Sequence, residues 1–220
     1  MHIGLIGGIG PAATDFYYRE LIKHAAAANR DLELTIAHAD TPTLLANLLA
    51  DDHEAQCAIY VKLAQRLQSA GAGNVVVTSI AGHFCIDRFA EISPLPIIDL
   101  TKALAAWLAE MGMARVGILG TAPVMRSGMY GKLEPVEVMA PEADELERVH
   151  DAYVTLAHSG TSTPQLKQIF DQAGEAMLQR GAEAIMLGGT DLNAAYTGDN
   201  APFPLVDCAG VHAAEIARHI

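Results

Sequence analysis

The sequence repeats itself once, at an offset of about 110 residues. The segment AGAGNVVVTS, which begins at Ala70, is matched by RGAEAIMLGG, which begins at Arg180. LPIIDLTKALAAWLA from Leu95 is matched by FPLVDCAGVHAAEIA from Phe203, and HIGLIGGIGP near the start is matched by RVGILGTAP. Because the three matched segments occur in the same order, we predict two similar halves.

Each half alternates short apolar runs with longer segments of helical period. The runs HIGLIG, NVVVTS, PIIDL, RVGILG and AIMLG lack the polar alternation of a half-exposed strand, which is typical of parallel strands buried on both faces. Strand–helix alternation favours βαβ units. We therefore predict an α/β fold of two pseudo-symmetric parallel-sheet domains with a cleft between them. The predicted N-terminal domain comprises residues 1–98 plus 208–220, and the C-terminal domain comprises residues 99–207.

The repeat also predicts where a ligand binds. Ligands of open parallel sheets lie beyond the carboxyl ends of the strands. Ser79 and Gly189 each follow their repeat glycine at the same distance, at the end of an apolar run. We expect these two positions to face each other across the cleft.

Composition excludes several classes of protein. Hydrophobic residues make up 51% of the chain and charged residues 18%, which excludes intrinsic disorder. The formal net charge of −12 argues against nucleic-acid or membrane-surface partners. Apolar runs are too short to span a bilayer, and three cysteines do not form a disulfide framework. We predict a cytoplasmic protein that binds a small molecule.

The segment after the first apolar run contains a G-x-G-x-x-A pattern that begins at Gly8. One interpretation is a dinucleotide-binding turn, and so an oxidoreductase. The other is a strand-to-helix turn in which the amides of Gly8, Ile9 and Gly10 bind a small anion. Pro11 removes one amide, and Asp40 lies further on than the roughly 20 residues of the fingerprint, which favours the second interpretation.

The histidines and cysteines show no metal-binding spacing, so we predict no metal site. His83 lies near a strand end and is open to a structural or a functional role. His212, on the last helix, favours a packing or surface role. Cys85 and Cys208 do not occupy equivalent repeat positions, and we do not predict either of them as the main nucleophile.

Three further polar residues are candidates for ligand binding. Thr121 and Thr190 follow apolar runs, where helix capping and ligand contact are both open and compatible. Lys167 lies near the start of a long helical segment and is either solvated or placed over the cleft.

The opening HIGLIGGIGPAATDFYY resembles that of the aspartate/glutamate racemase family. The loop before His83, the SGMY segment, the GGTDL segment and the PLVD…H end extend the resemblance over nearly the whole chain. It implies two like α/β domains around one cleft, a homodimer, and amino-acid racemisation without pyridoxal phosphate or another cofactor. In the family, two cysteines, one from each domain, remove and return the α-proton on opposite faces of the substrate.

The chain departs from this family at both cysteines. Where the family has Cys-Asn-Thr-Ala-His, the chain has Ser79-Ile80-Ala81-Gly82-His83, and where it has Gly-Cys-Thr-Glu, the chain has Gly188-Gly189-Thr190-Asp191. The family arginine after the second strand is missing from ADTPTLL. We expect aspartate and glutamate racemisation to be absent or very slow, with Ser79 and His83 as the remaining acid/base unit and Cys85 as its substitute. The resemblance and the strand-end positions together predict these substrate-binding residues: Gly8, Ile9, Gly10, Ile80, Ala81, Thr121, Gly189, Thr190 and Lys167.

Three functions are compatible with this sequence. The first is an isomerase that acts on a small carboxylate or amino acid. The second is a family member with one-sided lyase or decarboxylase chemistry, or a non-catalytic binder of a small acid. The third is a dinucleotide-binding oxidoreductase, which cofactor absorbance would reveal.

Overall fold

The computed structural model describes residues 2–8, 11–196 and 200–220. The chain divides into two compact units. Unit 1 comprises Met1–Leu100 and His212–Ile220, and unit 2 comprises Thr101–Val211.

Unit 1 contains a parallel sheet of three strands in the order β2-β1-β3. The strands are β1 (His2–Gly7), β2 (Glu33–His38) and β3 (Asn74–Val77). The helices are α1 (Pro11–Ala27), α2 (Thr41–Leu49), α3 (His53–Ser69) and α4 (Ile86–Ile92). A short 3₁₀ helix, Ala81–Cys85, follows β3.

Unit 2 contains a parallel sheet of four strands in the order β5-β4-β6-β7. The strands are β4 (Arg115–Gly120), β5 (Glu137–Met139), β6 (Ala184–Gly188) and β7 (Leu205–Val206). The helices are α5 (Leu100–Glu110), α6 (Ala122–Arg126), α7 (Ala143–Ser159), α8 (Pro164–Gln179) and α9 (Cys208–Ala217), and α9 continues into the second segment of unit 1. Short 3₁₀ helices lie at Met129–Gly131 and Thr190–Ala194.

The two sheets share one strand order. In each, the first strand lies between the second and the third, so β1 corresponds to β4 and β3 to β6. In each unit the first and third strands are adjacent and end side by side, with Ile6 opposite Val77 in unit 1 and Gly120 opposite Gly188 in unit 2. The prediction of two parallel-sheet α/β domains is confirmed.

The repeat glycines end equivalent helices. Gly71 follows α3 with φ +95°, and Gly181 follows α8 with φ +101°. A residue with a Cβ is strained in this left-handed region, so glycine ends each helix and turns the chain into β3 or β6.

The apolar runs form the cores of the two sheets. All residues of β6 are buried, as are the last five of β1 and β4. The run PIIDL, predicted as a strand, makes only one isolated parallel bridge, between Ile97 and Val75. Pro96 has no N–H for a sheet hydrogen bond and α5 begins at Leu100, which leaves no room for a longer strand.

Candidate active site

The turn after β1 is closed by its own hydrogen bonds. The Gly8 amide donates to Thr14 Oγ1 at 2.9 Å, and Thr14 Oγ1 lies 3.3 Å from Thr78 Oγ1. This amide is therefore bonded within unit 1 and is not free for an anion. The predicted binding residues Ile9 and Gly10 lie outside the described residues.

A cavity of about 320 Å³ lies beside the same turn. It combines carboxylate, imidazole, phenol and aliphatic groups from α1 and β2 with the turn after β1, and its lining residues are Gly8, Thr14, Asp15, Tyr18, Ile36 and His38.

Ser79 and His83 lie together after β3. Ser79 Oγ accepts from the Gly82 amide at 3.2 Å, and the imidazole Nδ1 of His83 donates to the Ser79 carbonyl at 2.6 Å. The hydroxyl thus caps the 3₁₀ helix, and the contact with the ring is made by the backbone. Burial lowers the pKa of His83, an effect that the charge of Asp99 opposes. The imidazole is therefore neutral at pH 7, with a lone pair on Nε2.

The predicted binding residues Ile80 and Ala81 join Ser79 to this imidazole. The Ile80 side chain is buried, and its carbonyl accepts from the His83 amide at 3.0 Å. Ala81 begins the 3₁₀ helix.

A second imidazole, that of His212, is fully buried behind this segment. Its Nδ1 accepts from Tyr17 Oη at 2.9 Å, and its Nε2 donates to the Ile98 carbonyl at 2.9 Å. The rings of His83 and His212 meet edge to face, 6.2 Å apart. Burial, followed by repulsion from His83 whenever that ring is protonated, lowers the pKa of His212 to about 3. The end of β3 is thus backed by two neutral imidazoles.

In unit 2 the loop after β4 is held by helix α7. The Ala122 amide donates to Nδ1 of His150, an α7 residue, at 3.2 Å. The hydroxyl oxygen of the neighbouring Thr121 is buried and has no hydrogen-bond partner among the described residues.

Helix α7 also contacts the loop after β6. The phenol of Tyr153 donates to Oδ2 of Asp191 at 2.7 Å. The preceding residue, Thr190, is buried. Burial, followed by the charge and hydrogen bond of Asp191, raises the pKa of Tyr153 well above its ordinary value. A Cβ placed on Gly189 would lie 2.6 Å from Cζ of Tyr153. The phenol therefore fills the space that a side chain at position 189 would need.

Lys167 is engaged by neighbouring side chains. Its Nζ lies 2.7 Å from Oδ2 of Asp171, one turn further along α8, and 5.0 Å from the centre of the Tyr196 ring. Tyr196 Oη donates to Oδ1 of the same carboxylate at 3.0 Å. The ammonium group is held in a three-residue cluster and is not freely solvated; its role in ligand binding stays a prediction.

The sequence matches a known protein family along nearly its whole length. The sequence model of the Asp/Glu/hydantoin racemase family matches residues 6–216. The chain belongs to this family.

Solved structures have the same fold. A candidate Asp/Glu racemase from Yersinia pestis superposes with a TM-score of 0.88 at 24% identity, over 100% of this chain and 99% of that one. An aspartate racemase homologue from Pyrococcus horikoshii gives 0.82 at 24% identity, over 99% of both chains. The aspartate racemase of Picrophilus torridus gives 0.79 at 18% identity, over 99% of this chain and 94% of that one.

The three cysteines of this racemase-family chain are all buried. Cys57 Sγ donates to the Cys85 carbonyl at 3.6 Å, and Cys208 begins α9. Burial raises the pKa of the Cys85 thiol, and burial followed by the charge of Asp207 raises that of Cys208. Neither position therefore favours a reactive thiolate.

Sequence reasoning missed three residues around these strand ends: Thr78, His150 and Tyr153. The sequence did hold one signal. His150 and Tyr153 are three residues apart on one helix, a spacing that puts both on one face. The predicted opposition of Ser79 and Gly189 across a cleft, and the roles of the predicted site residues, stay predictions. In the part of the chain that the structure describes, no helix is both long and apolar enough to cross a membrane.

Proposed function

We propose that this racemase-family chain is an isomerase that acts at the α-carbon of a small amino acid or related carboxylate, using its own side chains instead of pyridoxal phosphate. The ligand binds at the carboxyl ends of parallel strands. We also propose that the protein is a cytoplasmic homodimer.

The observation that carries this proposal is the position of the unpaired polar atoms. Three buried side-chain atoms have no hydrogen-bond partner within the described residues: His83 Nε2, Thr121 Oγ1 and Ser162 Oγ. Two of the three belong to segments that follow parallel strands: His83 comes after β3, and Thr121 comes after β4. A buried polar atom without a partner costs about 1–3 kcal/mol, so a ligand that bonds to these atoms gains affinity from them.

The two atoms have complementary chemistry. The Thr121 hydroxyl can donate a hydrogen bond to a ligand carboxylate. The hydroxyl of Thr190, in the loop after the adjacent strand β6, can donate a second one. His83 Nε2 can only accept, because Nδ1 carries the proton that it donates to Ser79. A neutral imidazole in this state can take a proton from a substrate or from a solvent-exchanged group.

The loop after β2 argues against an acidic side chain on the substrate. Its acidic residue, Asp40, caps α2 through the amide and hydroxyl of Thr43. These hydrogen bonds lower the pKa of Asp40, so a negative charge stands in the segment that lacks the family arginine. We therefore expect aspartate and glutamate to be poor substrates.

Proton NMR in D₂O tests the proposal. The probes are both enantiomers of aspartate, glutamate, alanine, serine and lysine, together with 5-methylhydantoin. We expect loss of the α-proton signal for at least one probe, and a rise in KM of about 10-fold or more in Thr121→Val, since a hydrogen bond to a charged group contributes about 1.5–3 kcal/mol. Ser162→Ala removes the third unpaired hydroxyl and serves as the matched control, with KM unchanged. A wild-type protein that exchanges none of these α-protons would refute the proposal.

Gly189 favours a second candidate function. Without a side chain there, the chain could act on one face only, as a lyase or decarboxylase, or could bind a small acid without catalysis. Deuterium entry without racemisation, or carbon dioxide release, would identify the one-sided reaction. Absorbance of a nicotinamide or flavin in the purified protein would identify the oxidoreductase alternative, and light scattering at twice 23.3 kDa would support the homodimer.

A further inference from the structure

The space beside Gly189, the first residue after β6, is filled by the side chain of Tyr153. A Cβ at this position would lie 2.6 Å from Cζ of Tyr153 and nearer still to its hydroxyl oxygen. No side chain can occupy position 189 while Tyr153 stays in place. The phenol of α7 therefore stands where a side chain of the strand-end loop would otherwise be.

The same hydroxyl has an ionisable partner. Tyr153 Oη donates to Asp191 Oδ2 at 2.7 Å, and Asp191 follows Gly189 by two residues. The Tyr153 residue as a whole is only partly buried. An acid and a base are thus in hydrogen-bond contact at the carboxyl end of a central strand, where ligands of parallel sheets bind.

The position of the phenol is fixed by its helix. His150, one turn earlier on α7, accepts from the Ala122 amide at 3.2 Å, so one face of α7 is bonded to the loops after both β4 and β6. These two bonds hold the hydroxyl of Tyr153 in a defined place relative to Thr121 and Thr190, which proton transfer requires.

We propose that Tyr153 and Asp191 together are the proton carrier of unit 2, in the place of the side chain that Gly189 lacks. The proposal rests on the proposed function. When the pair acts as a base, the substrate Cα–H bond breaks and its proton moves to Tyr153 Oη, while the phenol proton moves to Asp191 Oδ2. The electron pair stays on the α-carbon and Asp191 becomes a carboxylic acid. The reverse transfers return a proton to the α-carbon.

The relay keeps a single negative charge at the site. A free phenolate beside the Asp191 carboxylate would place two negative charges in contact. Burial, followed by this repulsion, raises the pKa of Tyr153. Transfer through the phenol to the carboxylate avoids that state. Asp191 is thus the proton acceptor, and Tyr153 is the group that touches the substrate.

The test measures α-proton exchange in D₂O for each enantiomer separately, with the same amino acids and 5-methylhydantoin as probes. We expect Tyr153→Phe and Asp191→Asn to slow exchange of one enantiomer by about 10²–10⁴-fold, the usual effect of removing an acid/base group, while exchange of the other changes only a few-fold. Gly189→Cys/Tyr153→Ala, which puts a thiol in the vacated space, should restore exchange of the slowed enantiomer. Tyr196→Phe is the control for stability, because it removes another hydrogen bond from a phenol to a carboxylate in unit 2. The fall in its melting temperature measures how much the loss of such a bond destabilises the fold.

Three outcomes would overturn the proposal. Exchange of both enantiomers at wild-type rates in Tyr153→Phe would show that the hydroxyl carries no proton. Equal loss for both enantiomers would indicate a structural role. Wild-type protein that exchanges neither enantiomer of any probe would overturn this inference together with the proposed function, whereas the first two outcomes leave that function standing.

Discussion

The strand ends of unit 1 and unit 2 share one scaffold and differ in chemistry. After β3, two buried imidazoles are bonded to backbone carbonyls and are neutral because burial lowers their pKa values. After β6, a phenol is bonded to a carboxylate, and both belong to residues that are only partly buried. The repeated strand order sets where polar groups collect, whereas the side chains that fill each end determine what those groups can do.

The largest loss of stability should follow removal of the His212 imidazole from unit 1. His212→Ala leaves a cavity and removes the hydrogen bonds that the imidazole makes to Tyr17 Oη and to the Ile98 carbonyl. We expect a loss of about 3–5 kcal/mol in the free energy of unfolding, measured by urea denaturation. His212→Gln, which keeps hydrogen-bonding groups and more of the volume, should lose less. Equal stability of His212→Ala and wild type would contradict the view that this network holds unit 1 together.

The second test places a cysteine in unit 2. Gly189→Cys forces its Cβ against the ring of Tyr153, and such overpacking typically costs about 1–3 kcal/mol. Part of that loss should be recovered in Gly189→Cys/Tyr153→Ala, because the clashing ring is gone. Thermal unfolding of the three proteins measures this, and a fully stable Gly189→Cys protein would show that Tyr153 moves aside freely.

The third test uses pH and is specific to the buried imidazoles. The unfolded chain binds a proton at His212 as pH falls below its ordinary pKa of 6.5, whereas the folded protein does so only near pH 3. Stability is therefore complete above pH 6.5 and falls below it, by about 2 kcal/mol between pH 7 and pH 5 for this residue, with a loss in the same direction from His83. His212→Gln should flatten the dependence, whereas His53→Gln, at an exposed imidazole, controls for the loss of a histidine. A wild-type stability that rises as the pH falls would contradict this reasoning.

The smallest effect should come from placing a cysteine in unit 1. Ser79→Cys is nearly isosteric and weakens only the bond that Ser79 Oγ accepts from the Gly82 amide. We expect a loss of about 1 kcal/mol by urea denaturation. A loss as large as that of Gly189→Cys would remove the contrast between the two strand ends.

Much of the fold could be predicted because the two halves of the sequence repeat the same pattern of strands and helices. The matched runs predicted β1, β3, β4 and β6, and the repeat glycines Gly71 and Gly181 end equivalent helices in the structure. Helix α2 was missed, since its segment TPTLLANLL is short and matches no part of the other half. Asp40, which lies too far along the chain for the acidic residue of a dinucleotide fingerprint, is its N-cap.

The candidate site was harder to predict, because its key contacts join residues that are distant in sequence. Gly189 was identified by its position, but the ring beside it belongs to Tyr153, on a helix that precedes β6. Likewise, the proximity of Ser79 and His83 could be predicted from their spacing, but not that the imidazole would bond to the carbonyl instead of the hydroxyl. Packing decides such choices, and periodicity carries no information about it.

The return of the chain to unit 1 at His212 has a consequence for biosynthesis. His212 lies 195 residues after Tyr17 and 114 after Ile98, its two hydrogen-bond partners. A ribosome therefore completes all of unit 2, one continuous stretch, before it supplies the imidazole that closes the interior of unit 1. Chains that end at Val211 should contain a protease-resistant unit 2 next to a unit 1 that is still open to cleavage.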